Sequence, residues 1–249
     1  MRLTVVGSSA SYATAGHACS GYLVEGGGSK VMFDCGNGAL ANLTRVLDPL
    51  ELDAIFITHA HPDHFADIFA MQSVLRYAPT GPAPALPLYL PPGLFSQLKS
   101  LLSGRGAEEL DEAFVVHELS DKASVSIGGL VVTPVAVEHT QPTFALRAQA
   151  DGGTIAYTAD SASGPWLRDV LKDASLGIAE ATLPDQYSGV APHLTAREAG
   201  RYAREAGVVR LVLTHIWPTN DRATTAAEAS DAFGATVTLA EEFDTYDVP

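Results

Sequence analysis

The sequence predicts an α/β domain built from two mixed sheets with helices on the outside. Three observations carry that expectation. Early strands come as hairpins, later strands alternate with helices, and no linker, low-complexity tract or repeat divides the 249 residues. One domain over residues 1–249 is therefore expected.

Taken in order, "RLTVVG" reads as an opening strand, rich in β-branched residues and stopped by Gly7. A loop of small residues follows, "SSASYATAGHACSG". "YLVE" and "KVMFDCG" flank Gly26 to Gly28, a hairpin signal with a three-glycine turn. "ALANLTRVL" has helical spacing closed by Asp48-Pro49, and "DAIFIT" is a buried strand. "FADIFAMQSVLRYA" reads as one helix. A Pro-rich connection then surrounds the short strand "LYL", and "LFSQLKSLL" and "AEELDEAF" read as surface helices. "FVVHEL", "ASVSIG" and "LVVTPVAVEH" are strands, the last two joined at Gly128-Gly129. "TFALRAQ" and "TIAYTAD" flank a second hairpin turn, and "LGIAEA" is another buried strand. Thr195, with Glu198 three residues on, marks a capping box for "TAREAGRYAREAGV". "VRLVLTH" is a strand, "TTAAEASDAFG" a helix, and "TVTLA" the last strand expected.

Composition narrows the function. Hydrophobic residues make up 47% and charged residues 18%, a globular balance with ample core. Lys plus Arg number 15 against 29 Asp plus Glu, a formal charge of −14, so no extended nucleic-acid surface is expected. Two cysteines, Cys19 and Cys35, point to a reducing compartment rather than a disulfide framework. The N-terminus is too short and too β-like for a signal peptide, and no apolar run approaches a membrane span. A cytoplasmic protein without membrane contact is expected.

Chemistry concentrates in "ITHAHPDHFAD". His59, His61, Asp63 and His64 fall within six positions of a chain with eight histidines. Pro62 disfavours helix at His61, so "HAH" is extended and period two turns His59 and His61 to one side. Asp63 and His64 then open the next helix. Elsewhere His139, Asp160 and His215 each follow an apolar strand, as His59 does, and strand ends at one sheet edge are where loops converge on a ligand. Imidazole and carboxylate suit zinc first, with manganese or iron as alternatives. Two ions would be held by His59, His61 and His139 and by Asp63, His64 and His215, with Asp160 between them.

These residues resemble the metallo-β-lactamase superfamily over nearly the whole chain. The resemblance implies a four-layer αββα sandwich with a dinuclear site at the sheet edges. "FDCGNG" is similar to that superfamily's first motif, which makes Asp34 the acid bracing the metal loop. "EATLPDQ" and "HLTAREAG", followed by "VVRLVLTH", resemble the ribonuclease Z-like phosphodiesterase branch and its compact bacterial members linked to cyclic-nucleotide hydrolysis. In that branch Glu180 and His193 would form a proton-shuttling pair. The long tRNA-gripping arm of true ribonuclease Z has no room between His139 and Asp160, and its basic "PxKxGRN" motif is missing.

The expected function is a dinuclear metal-dependent phosphodiesterase acting on cyclic or short nucleotides through a hydroxide shared by two divalent cations. Four positive charges less Asp63, Asp160 and the hydroxide leave a site near +1, which favours a small anionic phosphodiester. Asp63, His193 and Glu180 are the expected catalytic residues. An ester, thioester or lactone hydrolase is the runner-up. A tRNA 3′-end endonuclease and a non-enzymatic binding protein follow. The resemblance also implies a homodimer. His17 is either a substrate contact or an ordinary loop histidine, Trp217 either a pocket wall that stacks on a base or core, and His117 a structural residue. Cys35 reads as a small buried neighbour of Asp34.

Overall fold

The computed structural model describes residues 1–249. Its first half contributes β1 (Arg2–Gly7), β2 (Gly21–Gly26), β3 (Ser29–Phe33), α1 (Ala39–Leu43), β4 (Ala54–Phe56), α2 (Pro62–Phe65), α3 (Ile68–Tyr77), β5 (Leu86–Leu90), α4 (Leu94–Ser100), α5 (Gly104–Ala113) and β6 (Phe114–Glu118). The second contributes β7 (Val125–Ile127), β8 (Leu130–Val137), β9 (Thr143–Ala150), β10 (Gly153–Tyr157), α6 (Trp166–Leu171), β11 (Leu176–Glu180), α7 (Ala196–Glu205), β12 (Arg210–Thr214), α8 (Arg222–Phe233) and β13 (Thr238–Leu239). A last strand, β14 (Thr245–Asp247), returns to the first half.

The strands form two seven-stranded sheets, ordered β14-β1-β2-β3-β4-β5-β6 and β13-β12-β11-β10-β9-β8-β7. The first runs through three antiparallel ladders and then three parallel ones, and the second does the same when read from β7 to β13. The two halves thus repeat one topology, although the sequence shows no repeat. β1, β3 and β4 point the same way, as do β8, β10, β11 and β12, so their carboxyl ends gather along one edge of each sheet.

Strand alternation sorts side chains into layers. Val31, Phe33 and Phe56 face Leu146, Ile155, Tyr157 and Ile178 in a core of 24 buried residues between the sheets. Their neighbours Met32, Ile55 and Ile57 turn outward onto Leu43, Ile68 and Met71 of the first helical layer. In the second half Ala156, Ala179 and Leu213 pack on Leu167, Ala199 and Phe233 of the other. The result is the αββα sandwich that the resemblance implied.

Several expectations change in detail. The β2–β3 turn uses two glycines, not three: Gly26 pairs with Ser29, and Gly27 and Gly28 both take positive φ, as a two-residue hairpin turn requires. The helix expected over 65–78 is present but starts later, as α3: Phe65 closes α2, and Asp67, at the N-cap of α3, turns its carboxylate to the backbone N–H of Leu40 (3.0 Å). α6 was not expected, nor was β14, which makes "TVTLA" the penultimate strand. Both additions are short. No helix is long and apolar enough to cross a membrane.

The capping box is present as expected. Thr195 Oγ1 accepts from Glu198 N (3.2 Å), and the Glu198 carboxylate accepts from Thr195 N (3.0 Å). Thr195→Ala should therefore lower the unfolding free energy by about 0.5–2 kcal/mol, read as an earlier urea midpoint at constant slope. An unchanged midpoint would show that α7 is held by packing alone.

Candidate functional site

Local backbone rules place the first cluster of polar residues. His61 is extended (φ −89°, ψ 138°) ahead of Pro62, and α2 then begins, carrying Asp63 and His64. The loop is clamped from behind by "DCG". Asp34 N donates to Phe56 O (2.8 Å), Cys35 N to His64 O (2.7 Å), and Asp67 N to Cys35 O (3.0 Å). Gly36 lies so close that a Cβ would stand 2.0 Å from the Asp63 carbonyl oxygen. Both cysteines are buried and unbridged.

The structure brings together all seven residues singled out for metal binding. Ligand atoms of His59, His61, His139 and Asp160 lie within 4.8 Å of one another, as do those of Asp63, His64 and His215. Asp160 joins the two groups. Its carboxylate stands 3.6 Å from His59 Nε2, 3.4 Å from His64 Nε2, 3.5 Å from His215 Nε2 and 3.9 Å from His139 Nε2. His59, His64 and Asp160 are buried, and three strand-end residues, Asp34, Ala159 and His215, adopt positive φ. Such backbone costs about 1–3 kcal/mol per residue and collects at functional sites.

Outer partners fix how the imidazoles point. His64 Nδ1 donates to Asp34 Oδ2 (2.7 Å), His139 Nδ1 to Pro192 O (2.9 Å), His59 Nδ1 to Thr58 Oγ1 (3.0 Å) and His215 Nδ1 to Thr182 Oγ1 (2.8 Å). Each therefore turns Nε2 inward. His61 is reversed, with Nε2 toward Thr140 Oγ1 (3.3 Å) and Nδ1 toward the cluster. Inward nitrogens then crowd together, His59 Nε2 to His61 Nδ1 at 3.0 Å and His64 Nε2 to His215 Nε2 at 3.3 Å. Asp160 Oδ1 is buried with no hydrogen-bond partner. Converging imidazole nitrogens and an orphaned carboxylate oxygen fit divalent metal binding, and the nitrogen and oxygen donors suit the first-row ions.

Electrostatics follow from burial and charge. Burial pushes His59, His61 and His139 below the usual imidazole range, which keeps them neutral as ligands must be. Burial would also lower His64, but Asp160 and Asp34 outweigh it and hold it well above. Asp63 and Asp160 resist their own burial and stay low, Asp63 chiefly through the His215 hydrogen bond and Asp160 through the charges of His215 and His64.

Beside the cluster stand Glu180 and His193. Glu180 is fully buried at the end of β11, and His193 Nδ1 lies 3.0 Å from its Oε1. The same carboxylate accepts from Ser161 N (2.7 Å) and Thr182 Oγ1 (2.6 Å). A ring nitrogen of His193 lies within 4.8 Å of ligand atoms of Asp160 and His215. Burial would lower His193, yet Glu180 lifts it to about 9.

Other residues fall at the margin. His17 Nδ1 pairs with Glu242 Oε2 (2.9 Å), and with Trp217 it lines a cavity of about 100 Å³. Trp217 is 42% exposed, its indole donating to Ser11 Oγ (3.1 Å), so it is no core residue. His117 stacks on Tyr89 (4.6 Å), away from the cluster on β6. Sequence reasoning missed Thr58, Thr140, Tyr157, Thr182 and the Pro192 carbonyl. Thr58 and Thr140 adjoin singled-out residues and Thr182 lies two beyond Glu180, but nothing in the sequence marks which hydroxyl turns inward.

The chain matches the family model "Beta-lactamase superfamily domain" over residues 29–216. It is 31% identical to protein Rv1339 of Mycobacterium tuberculosis, over all of this chain and 92% of that protein. Among solved structures it is similar to the metallo-beta-lactamase fold protein YhfI from Bacillus subtilis, with 27% identity, TM-score 0.88 and 99% of each chain covered. It is also similar to the short form of human tRNase Z, with 25% identity, TM-score 0.80 and 100% of each chain covered.

Two outcomes test this geometry. Gly36→Ala should push the Asp63 carbonyl away and cost about 1–3 kcal/mol, with weakened metal uptake measured by titration; wild-type uptake would show the clamp to be slack. In metal-free protein, NMR should place the His193 titration near 9, above the free value of about 6.5. Because the folded value is raised, the pair's stabilisation is complete below about pH 6.5 and lost as pH rises through about 9. Glu180→Gln should remove that dependence, and a His193 titration near 6.5 in the parent protein would contradict the pairing.

Proposed function

The chain belongs to the beta-lactamase superfamily, and on that footing we propose that it is a dinuclear metal-dependent phosphodiesterase acting on cyclic or short nucleotides. The observation that carries this reading is the Glu180–His193 pair set against Asp160 and His215. A thiolate departs without a separate proton donor, whereas an alkoxide leaving phosphorus calls for one at this position.

His59, His61 and His139 would hold one ion and Asp63, His64 and His215 the other, with Asp160 shared. Zinc suits the donors best, and manganese or iron also fit. When bound, such ions supply Lewis-acid polarisation and a water of pKa about 7. The chain's residues do the rest. Asp34 and Thr58 fix the rings of His64 and His59, and Ser11 N donates to Asp63 Oδ2 (2.7 Å), holding that carboxylate in place. Glu180 orients His193 through Nδ1, leaving Nε2 to give a proton to the departing oxygen.

Only the β9–β10 hairpin joins His139 to Asp160. No long RNA-gripping arm stands there, which supports a small substrate over a tRNA precursor.

His193→Ala should lower kcat on 3′,5′-cyclic AMP or bis(p-nitrophenyl) phosphate by about 10²–10⁴ while the metal content stays at two per chain by elemental analysis. Hydrolysis confined to a thioester or lactone tested alongside would overturn the phosphodiesterase reading. Full turnover in the variant would remove the pair from the reaction.

A further inference from the structure

The edge of the site beyond His193 opens into a cavity of about 290 Å³. Glu138, Ala162, Ser163 and the 189–193 segment line it. Glu138 directly precedes His139, and its carbonyl accepts from Ala162 N (2.7 Å), which fixes the wall. Apart from the imidazole, Glu138 is the only lining residue that carries a formal charge, and no Lys or Arg lines the space. Val190 at the rim is exposed. The volume sits at the lower end of small-molecule sites, roughly 300–1,000 Å³.

Position decides what this space receives. Nδ1 of His193 is held by Glu180, so a departing oxygen takes its proton from Nε2 and its substituent extends past the imidazole. In the balanced reaction the P–O bond to that oxygen breaks, a P–O bond to the oxygen of water forms, the departing oxygen gains the His193 proton, and the proton released by the attacking water restores His193. From this geometry we infer that the Glu138 cavity is the leaving-group subsite and that it selects phosphodiesters whose leaving group is an uncharged, hydroxyl-bearing group. The inference rests on the phosphodiesterase reading and sharpens it. A neutral sugar-type group can donate a hydroxyl to Glu138 and lie against Ala162 and Val190. A leaving group with a further phosphate or carboxylate meets a like charge and no cation, an arrangement that discriminates by repulsion. Oligonucleotides and diphosphates are thereby disfavoured, whereas a single internal diester is accepted.

Two thymidine 5′-aryl phosphates supply the test, one releasing phenol and the other 3-carboxyphenol, whose hydroxyls have similar acidity. Metal-loaded wild type should favour the phenyl ester in kcat/KM by about tenfold, the effect of one partly screened like charge. Glu138→Gln should bring the ratio toward one and Glu138→Lys should invert it. Salt at 1 M, where screening acts over about 3 Å, should narrow the ratio in wild type and leave it in Glu138→Gln. Equal use of both esters by wild type, or an unchanged ratio in correctly melting Glu138→Gln, would overturn the subsite while leaving the phosphodiesterase reading intact. Cleavage of neither ester, or of any phosphodiester, would overturn both.

Discussion

A carboxylate taken fully out of water loses hydration worth several kcal/mol, and it persists in a protein only where donors replace that water. Asp34 is such a group. It is fully buried, and it accepts from Thr58 N (2.8 Å), Thr58 Oγ1 (3.0 Å), His64 Nδ1 (2.7 Å) and Tyr157 OH (2.9 Å). Thr58 belongs to the loop that leaves β4 and His64 to α2 just after it, while Tyr157 belongs to β10 in the opposite sheet. One side chain therefore ties the two sheets together at the edge where the polar residues gather. Loss of any donor leaves the carboxylate short of a partner, so loop, sheet packing and ring orientation stand or fall together.

The opposite sheet solves the same problem in the same way. Glu180, also fully buried, accepts from His193 Nδ1 directly and reaches His215 through Thr182, just as Asp34 holds His64 directly and reaches His59 through Thr58. Each half thus supplies a buried carboxylate, a relaying threonine hydroxyl and two imidazoles. The halves also share their order of antiparallel and parallel ladders. Tyr22 and Tyr157 meet between them at 4.8 Å, with Tyr22 OH bonded to Thr214 Oγ1 (2.6 Å). This equivalence is invisible in the sequence, because a fold topology needs only matching patterns of apolar alternation and turns, not matching residues.

What the sequence made legible follows the range of the physics involved. Pro62 acts on its immediate neighbour, so the extended His61 and the helical start at Asp63 and His64 were readable. The Thr195 capping box spans three residues and was readable too. Strongly apolar strands announced themselves, and with them the polar residues at their ends. Interactions across long separations were not readable. Tyr157 and Asp34 stand 123 residues apart, and a tyrosine in an apolar strand looks like any core aromatic. Short elements failed for another reason. Six residues of α6 and three of β14 are too few for a period to emerge, and β14 exists only because β1 offers it an edge. The later start of α3, after Asp67, goes with a contact to Leu40, so local helix propensity ran straight through it.

The formal charge of −14 does not conflict with an anionic substrate, because the two act over different distances. At physiological salt exposed charges are screened beyond about 8 Å, and many surface cations are already engaged, as Arg222 is with Glu241 and Arg168 with Glu205. A substrate phosphate in the cluster would instead meet its immediate neighbours at short range and out of bulk water, where each charge weighs more. Attraction is then local and repulsion general. A molecule with one negative charge, placed at the centre, gains the first and mostly escapes the second. A polyanion extending over the rim accumulates the second with every further phosphate. Under the proposed phosphodiesterase reading the acidic surface would thereby take part in substrate choice, acting on length and total charge rather than on the identity of a base.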